Sequence, residues 1–291
     1  MKINWFPGHM KKALDNMRIE LAKVDAIIYV LDSRAPMSCI NPELNKISGN
    51  KPILYVFNKI DLADEEKISR LCGKFKSETT DYLKLNSTMS GAGKIITNKI
   101  KILTKSKIEK YRAKGINIAI RAMVVGVPNS GKSTLVNNLC KKAKAVTGNR
   151  PGVTKGQQWF SIGDCVEICD TPGTLYPNLA DQEIAKSLAF IGSIKDDIIE
   201  THELATELIA RINKLYPNLI EERYKGAMTL EEIAKARSFV LPGGELDLDR
   251  TALAILNDFR SGKIGKMTIE ALWKFLTKSK EIQASNLPRI T

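Results

Sequence analysis

Gly126-Val127-Pro128-Asn129-Ser130-Gly131-Lys132-Ser133 reads as GxxxxGK[ST], and its flanks decide what it means. Before it, Asn117 to Gly126 (NIAIRAMVVG) is a short apolar run rich in β-branched residues. After it, Ser133 to Lys142 has the length of a helix. A glycine-rich loop between strand and helix is the context this motif requires, because backbone N–H groups at a helix N-terminus hold phosphate oxygens. In that setting Asn129, Ser130, Gly131 and Thr134 line the cradle, Lys132 reaches the β- and γ-phosphates, and the Ser133 hydroxyl ligates Mg²⁺. The competing interpretation, a glycine-rich turn with a chance lysine, has no use for the flanking strand and helix.

Working outward, Asp25 to Asp32 (DAIIYVLD), Ile53 to Lys59 (ILYVFNK) and Asp81 to Ser87 are further strand-like runs separated by helix-length segments. That alternation predicts an α/β domain, a P-loop fold on a mostly parallel sheet with both faces covered. Ala13, Met17, Leu21 and Val24 recur at helical spacing and predict an N-terminal amphipathic helix packed on that domain. Gln157 to Ile162 and Cys165 to Cys169 read as a strand pair turning at Gly163-Asp164, with the two cysteines on one face. Beyond Asp181 helical patterns dominate, broken at Pro217, at Pro242-Gly243-Gly244 and at Gly262. Two units follow: residues 1–180 as the nucleotide-binding domain and 181–291 as a smaller α-helical domain.

Two more elements belong with the phosphate loop. Asp170-Thr171-Pro172-Gly173 ends a strand 37 residues after Ser133 and fits DxxG, in which Asp170 reaches Mg²⁺ through water and the Gly173 N–H meets the γ-phosphate. Between them Gly152-Val153-Thr154 lies in a basic, glycine-containing loop, where Thr154 is either an ordinary loop hydroxyl or a switch threonine that ligates Mg²⁺. Asn58-Lys59-Ile60-Asp61 reads as NKxD. Its Asp61 carboxylate accepts from the N1–H and exocyclic amine of guanine, which adenine does not offer, and Asn86-Ser87 backs the base. Alone, NKxD also describes an aspartate capping a helix after a strand; beside a P-loop it defines a guanine-nucleotide site for GTP and GDP.

The order of these elements is rotated. The base-reading motifs precede the P-loop, the switch threonine and DxxG, and moving them to the end restores the order of ordinary GTPases. A rotated chain keeps the same spatial sheet when the original ends lie close together, with Lys105 to Gly115 as the connector.

Charge narrows the partners. Of the net +13, residues 1–180 carry 29 Lys/Arg against 15 Asp/Glu, and residues 181–291 carry 16 against 17. Lys94 to Arg121 and Cys140 to Lys155 hold most of the excess, either as solvated helix faces or as contacts to a polyanion such as RNA. No run approaches the ~20 apolar residues of a membrane helix, and Met1 to Met10 has no apolar core of a secretion signal, so a cytoplasmic setting without membrane attachment is expected. Five cysteines without CxxC spacing fit scattered reduced thiols.

Together with Trp5-Phe6-Pro7-Gly8-His9-Met10, Asp32-Ser33-Arg34-Ala35-Pro36, Pro151-Gly152-Val153-Thr154-Lys155-Gly156-Gln157-Gln158-Trp159 and Leu241 to Arg260, these motifs give a chain that resembles the circularly permuted ribosome biogenesis GTPase A family over essentially its whole length. The resemblance implies a GTP hydrolase that acts as a late assembly checkpoint on the large ribosomal subunit. It also implies stimulation by that intermediate and contact with ribosomal RNA, partly through the helical domain; nothing demands a dimer. Thr174 follows DxxG, where many GTPases carry a water-orienting glutamine, and its side chain is too short for that task. The resemblance points to His9 as the catalytic group, against the alternatives of a helix cap or an RNA contact. Asn129 resembles the asparagine of K⁺-dependent GTPases. Two other classes compete: a nucleotide-dependent RNA-binding module with negligible hydrolysis, and a P-loop ATPase in which NKID is accidental.

Overall fold

The computed structural model describes residues 3, 17–140, 159–162, 165–171 and 181–270. Among the described residues six strands form one sheet in the order β3-β2-β1-β4-β6-β5. β1 (Ala26–Asp32), β2 (Ile53–Asn58), β3 (Thr80–Lys84), β4 (Ile120–Val125) and β6 (Val166–Asp170) are parallel, and β5 (Trp159–Ile162) pairs antiparallel with β6 at the edge. From β1 the chain steps outward through β2 to β3; from β4 the sheet continues through β6 to β5. The adjacent pair β1–β4 is therefore the point where strand order reverses, and in such sheets ligands sit beyond the carboxyl ends of the strands.

Strand alternation supplies two cores. Ile27, Tyr29 and Leu31 of β1, with Ile53, Tyr55 and Phe57 of β2 and Met123 and Val125 of β4, face one side. Ala26, Ile28 and Val30, with Leu54, Val56, Ala122 and Val124, face the other. A sheet apolar on both faces needs two covers, and each fully buried Ile or Leu stabilises the fold by about 1.5–3 kcal/mol. The second face is covered by α3 (Ala92–Leu103) through Ile96 and Ile100 and by α5 (Lys132–Cys140) through Leu135, Val136 and Leu139. α4 (Lys105–Arg112) buries no residue; Lys107 ties it to Asp25 at the foot of β1. The first face is covered by α2 (Glu65–Cys72) and by Met17, Leu21 and Val24, which are buried as the helical spacing predicts; Ala13 lies outside the described residues.

The helical segment continues this same core. α6 (Gln182–Phe190), α7 (Thr201–Leu215), α8 (Leu219–Arg223), α9 (Leu230–Ala236) and α10 (Leu248–Arg260) follow the expected breaks, and their buried residues join the cluster on the first face of the sheet. Thr229 and Glu232 form a capping box at the start of α9, satisfying otherwise orphaned N–H groups. Beyond α10, residues 267–270 dock on the loop after β1: Ile269 N donates to Arg34 O at 2.8 Å, and Thr268 Oγ1 donates to Ser33 O at 3.1 Å. The buried Glu270 carboxylate accepts from Met37 N and Ser38 N, and α1 (Pro42–Ser48) follows that loop. One detail departs from expectation. Cys165 precedes β6 and packs toward the second face, whereas Cys169 is buried in the first-face core, because period-2 alternation begins only at Val166.

Candidate functional site

Among the described residues, the loops after β1, β2, β3 and β4 leave the carboxyl edge of the sheet together. The loop after β4 is held in shape by backbone conformations that glycine allows and by the strands behind it. Gly126 has φ 150°, and a side chain there would put Cβ 2.3 Å from Val30 O of β1. Gly131 has φ 95°, and its Cβ would stand 2.2 Å from Asn58 Nδ2 at the end of β2. Both are impossible contacts, so the two motif glycines let the loop lie directly on its neighbours. Asn129 between them is left-handed at φ 58°. Ser130 Oγ and Lys132 Nζ both donate to Val127 O, each at 2.9 Å. Lys132 is buried, and Ser133 and Thr134 stand exposed on the first turn of α5.

Asn58 connects this loop to the base-reading elements. Its Nδ2 donates to Ser130 O at 2.8 Å, and its Oδ1 accepts from Ser87 N at 2.9 Å and from Ser87 Oγ at 2.7 Å. Lys59, left-handed at φ 56°, donates from Nζ to Asn129 O at 2.6 Å. Ile60 and Asp61 form a short 3₁₀ turn with Leu62, and the Asp61 side chain is exposed beside them. After β3, Asn86 Oδ1 accepts from Thr88 N and Thr88 Oγ1, which shapes the turn. Asn138 of α5 then donates to Ser87 O at 2.7 Å and Met89 O at 3.0 Å. One helix thus carries the phosphate loop at its N-terminus and pins the base loop along its side.

Beneath these loops is a buried charge pair. Arg34 grips Asp32 with two donors, Nε to Oδ1 at 2.9 Å and Nη2 to Oδ2 at 2.7 Å, and Lys59 Nζ lies 2.9 Å from Asp32 Oδ2. Burial opposes ionisation of Asp32, yet the two cations prevail and hold its carboxyl at about 2. Contacts to the helical segment complete the rim: Asn129 Nδ2 donates to Gly192 O at 2.5 Å, and Ser193 Oγ to Pro128 O at 2.7 Å.

The structure therefore brings Asn58, Lys59, Ile60, Asp61, Asn86, Ser87 and Asn129 to Thr134 to one edge. Asp170 closes β6 on the same edge, opposite Val124, and Thr171 Oγ1 donates to Val124 O at 2.7 Å. His9, Thr154, Gly173 and Thr174 lie outside the described residues. The donor set fits a nucleotide with a hard cation. A loop with glycine at both of its tightest positions ends at a helix N-terminus for phosphate, the exposed Ser133 hydroxyl is an oxygen donor, and the exposed Asp61 carboxylate suits a purine edge. Sequence reading missed Asn138 and the Gly192-Ser193 turn, whose partners lie far away in the chain, and quoted the Asp32-Ser33-Arg34-Ala35-Pro36 motif without a role for it.

A family profile described as 50S ribosome-binding GTPase matches residues 121–234. The chain is 39% identical to ribosome biogenesis GTPase A of Bacillus cereus, covering 97% of this chain and 98% of the relative. It is 30% identical to ribosome biogenesis GTPase A of Thermotoga maritima, covering 92% and 94%. Among solved structures, GDP-bound YlqF of T. maritima superposes with a TM-score of 0.63 at 25% identity, covering 88% of this chain and 98% of that one. The GNP-bound form gives a TM-score of 0.61 at 25% identity, covering 89% and 97%.

Proposed function

The chain belongs to the ribosome biogenesis GTPase A family, and from that premise we propose how its site works. It is a GTP hydrolase of large ribosomal subunit biogenesis that binds GTP and GDP with Mg²⁺. Asp61 accepts the guanine N1–H and amine, while Asn58 and Ser87 hold the loop behind the base. The N–H groups of Asn129 to Thr134 hold the phosphates, with Lys132 at the β- and γ-oxygens. Ser133, Thr154 and, through water, Asp170 hold Mg²⁺, which when bound offsets charge on the β- and γ-phosphate oxygens. Gly173 meets the γ-phosphate.

For the attacking water we assign His9, whose imidazole in its neutral form accepts a hydrogen bond from that water and orients it. Asn129 is assigned a K⁺ near the phosphates. The reading extends to ribosomal RNA as the contacted surface, a monomer off the ribosome, a cytoplasmic setting, and residues 1–180 and 181–291 as the working units. Among the described residues no helix is long and apolar enough to cross a membrane. The single observation that carries the site assignment is Asn58, which bonds the base loop and the phosphate loop simultaneously.

The test is steady-state GTP and ATP hydrolysis, in K⁺ and in Na⁺, with and without purified large subunits, for wild type and His9→Ala. GTP-selective turnover, stimulated by subunits and lost in His9→Ala while nucleotide still binds, is the expected outcome. Tight GTP binding with background turnover in the presence of subunits overturns the His9 assignment and favours a nucleotide-dependent binding module.

A further inference from the structure

Asp32-Ser33-Arg34-Ala35-Pro36 is a motif to which the nucleotide chemistry above gives no part, although both of its charged side chains are almost fully inaccessible. Arg34 is 1% exposed and Asp32 0%. A charge pair so deeply buried is costly to desolvate and persists only when its remaining donors and acceptors are used. They are used in two directions. On one side, Asp32 Oδ2 receives Lys59 Nζ at 2.9 Å, and the same ammonium donates to Asn129 O of the phosphate loop at 2.6 Å. On the other, Arg34 Nη1 donates to Arg260 O at 2.9 Å and Phe259 O at 3.4 Å, the last carbonyls of α10, with its guanidinium 5.2 Å from the Phe259 ring centroid. A cation at a helix carboxyl end is favourable for the helix as well as for the carbonyls it satisfies.

The result is a continuous line of contacts from the phosphate loop through Lys59, Asp32 and Arg34 to the end of α10. Lys59 needs this support. Its backbone is left-handed with a side chain to accommodate, and its long, flexible ammonium arm has no fixed direction of its own. Arg260, whose carbonyl Arg34 caps, in turn donates to Phe190 O and Ala189 O, tying α10 to α6 just before the Gly192-Ser193 turn that touches Pro128 and Asn129.

We infer that Asp32 and Arg34 are positioning residues: they aim Lys59 at the guanine-nucleotide site, and the carboxyl end of α10, through Arg34, sets that aim. The inference rests on the site reading of Lys59 given above. It makes the helical segment a determinant of how long nucleotide stays bound, acting through Arg34.

The experiment is release of a fluorescent GDP analogue, chased with excess GDP, from the full chain. The variants are Asp32→Asn, Lys59→Met, the double variant, Arg34→Lys and Phe259→Leu, each checked for a cooperative urea transition. Asp32→Asn is expected to speed release about tenfold, the size of one lost charge-assisted hydrogen bond. Because Asp32 acts through Lys59, the double variant should release no faster than Lys59→Met alone, whereas a merely structural role makes the two effects multiply. Single-turnover hydrolysis of prebound GTP by Phe259→Leu should stay within about twofold of wild type, since the carboxyl end of α10 bears on binding rather than on the reacting phosphate. Arg34→Lys and Phe259→Leu should shift release in the same direction by a smaller factor. Multiplying effects in the double variant, or release unchanged in folded Asp32→Asn, overturns the inference while wild-type binding stands. Unchanged release in both Arg34→Lys and Phe259→Leu removes the role of α10. A wild type that does not bind GDP overturns the site reading together with this one.

Discussion

Asn58 Nδ2 donates to Ser130 O at 2.8 Å, so the end of β2 and the phosphate loop after β4 form one hydrogen-bonded unit. Asn58 is 0% exposed, and the groups it satisfies have no water to replace it. Asn58→Ala should therefore lower the melting temperature and weaken GDP binding by at least about tenfold, since each orphaned buried group costs about 1–3 kcal/mol. Differential scanning fluorimetry with and without GDP measures both. Unchanged GDP affinity would show that the base loop holds its shape without this side chain.

Asp61→Asn exchanges a double acceptor for a group with one acceptor and two donors. Guanine then loses a partner and its amine faces an amide N–H, whereas xanthine, with a carbonyl at that position, gains one. Affinity should fall for GTP and rise for XTP, read by competition titration. Equal loss for both bases would place Asp61 away from the purine edge.

At Gly131 the added methyl of alanine would stand 2.2 Å from Asn58 Nδ2 with the backbone at φ 95°, so either the loop or Asn58 must move. Gly131→Ala should abolish measurable nucleotide binding and lower stability by about 1–3 kcal/mol. A variant that binds GDP normally would mean that the Asn58–Ser130 bond is dispensable.

The Asp32 carboxyl, held at about 2 against an ordinary value of 3.8, has its folded-state pKa depressed. Its contribution is therefore present above the ordinary value and lost as pH falls through that value toward 2; its size is on the order of 2 kcal/mol. Urea unfolding of wild type and Asp32→Asn at pH 7, 5 and 3 should give a stability gap that is constant between the first two and narrower at the third. A gap that widens on acidification would mean that the pair is not ionised in the folded chain.

Asn138→Ala frees the carbonyls of Ser87 and Met89 from α5. Met89 is exposed and water can replace the donor there, whereas Ser87 is buried, so the fold should lose about 1–2 kcal/mol. Guanine-nucleotide affinity should drop several-fold with kcat nearly unchanged, which separates loop placement from catalysis in a titration paired with single-turnover kinetics.

The central strands were legible because parallel strands buried on both faces read as uninterrupted apolar runs, as in Ile27 to Leu31 and Leu54 to Phe57. The phosphate and base motifs were legible for a different reason: they are local, so four to eight consecutive residues carry the chemistry. The contact between Arg34 and Phe259-Arg260 was not legible, because it joins residues more than two hundred positions apart and no periodicity marks a side chain that caps a distant helix. Asn138 was hidden likewise, since an asparagine on a helix face carries no signal of the loop it holds. The continuity of the core across position 181 was invisible too. Amphipathic spacing in α7 and α10 shows that a face is buried but does not name its cover.

The reversal of strand order at β1–β4 also dictates an order of events during synthesis. Chains are made from the N-terminus, at about 5–20 residues per second, so β1, β2 and β3 leave the ribosome before β4 exists. β1 is a central strand, and until β4 arrives its second edge has no partner and its apolar residues have only half their cover. Nucleotide cannot shield that edge early, because the phosphate loop arrives with β4 itself. The base-reading half of the site is thus built first and waits, and the nascent protein gains affinity for its nucleotide only when its most exposed edge has already been closed.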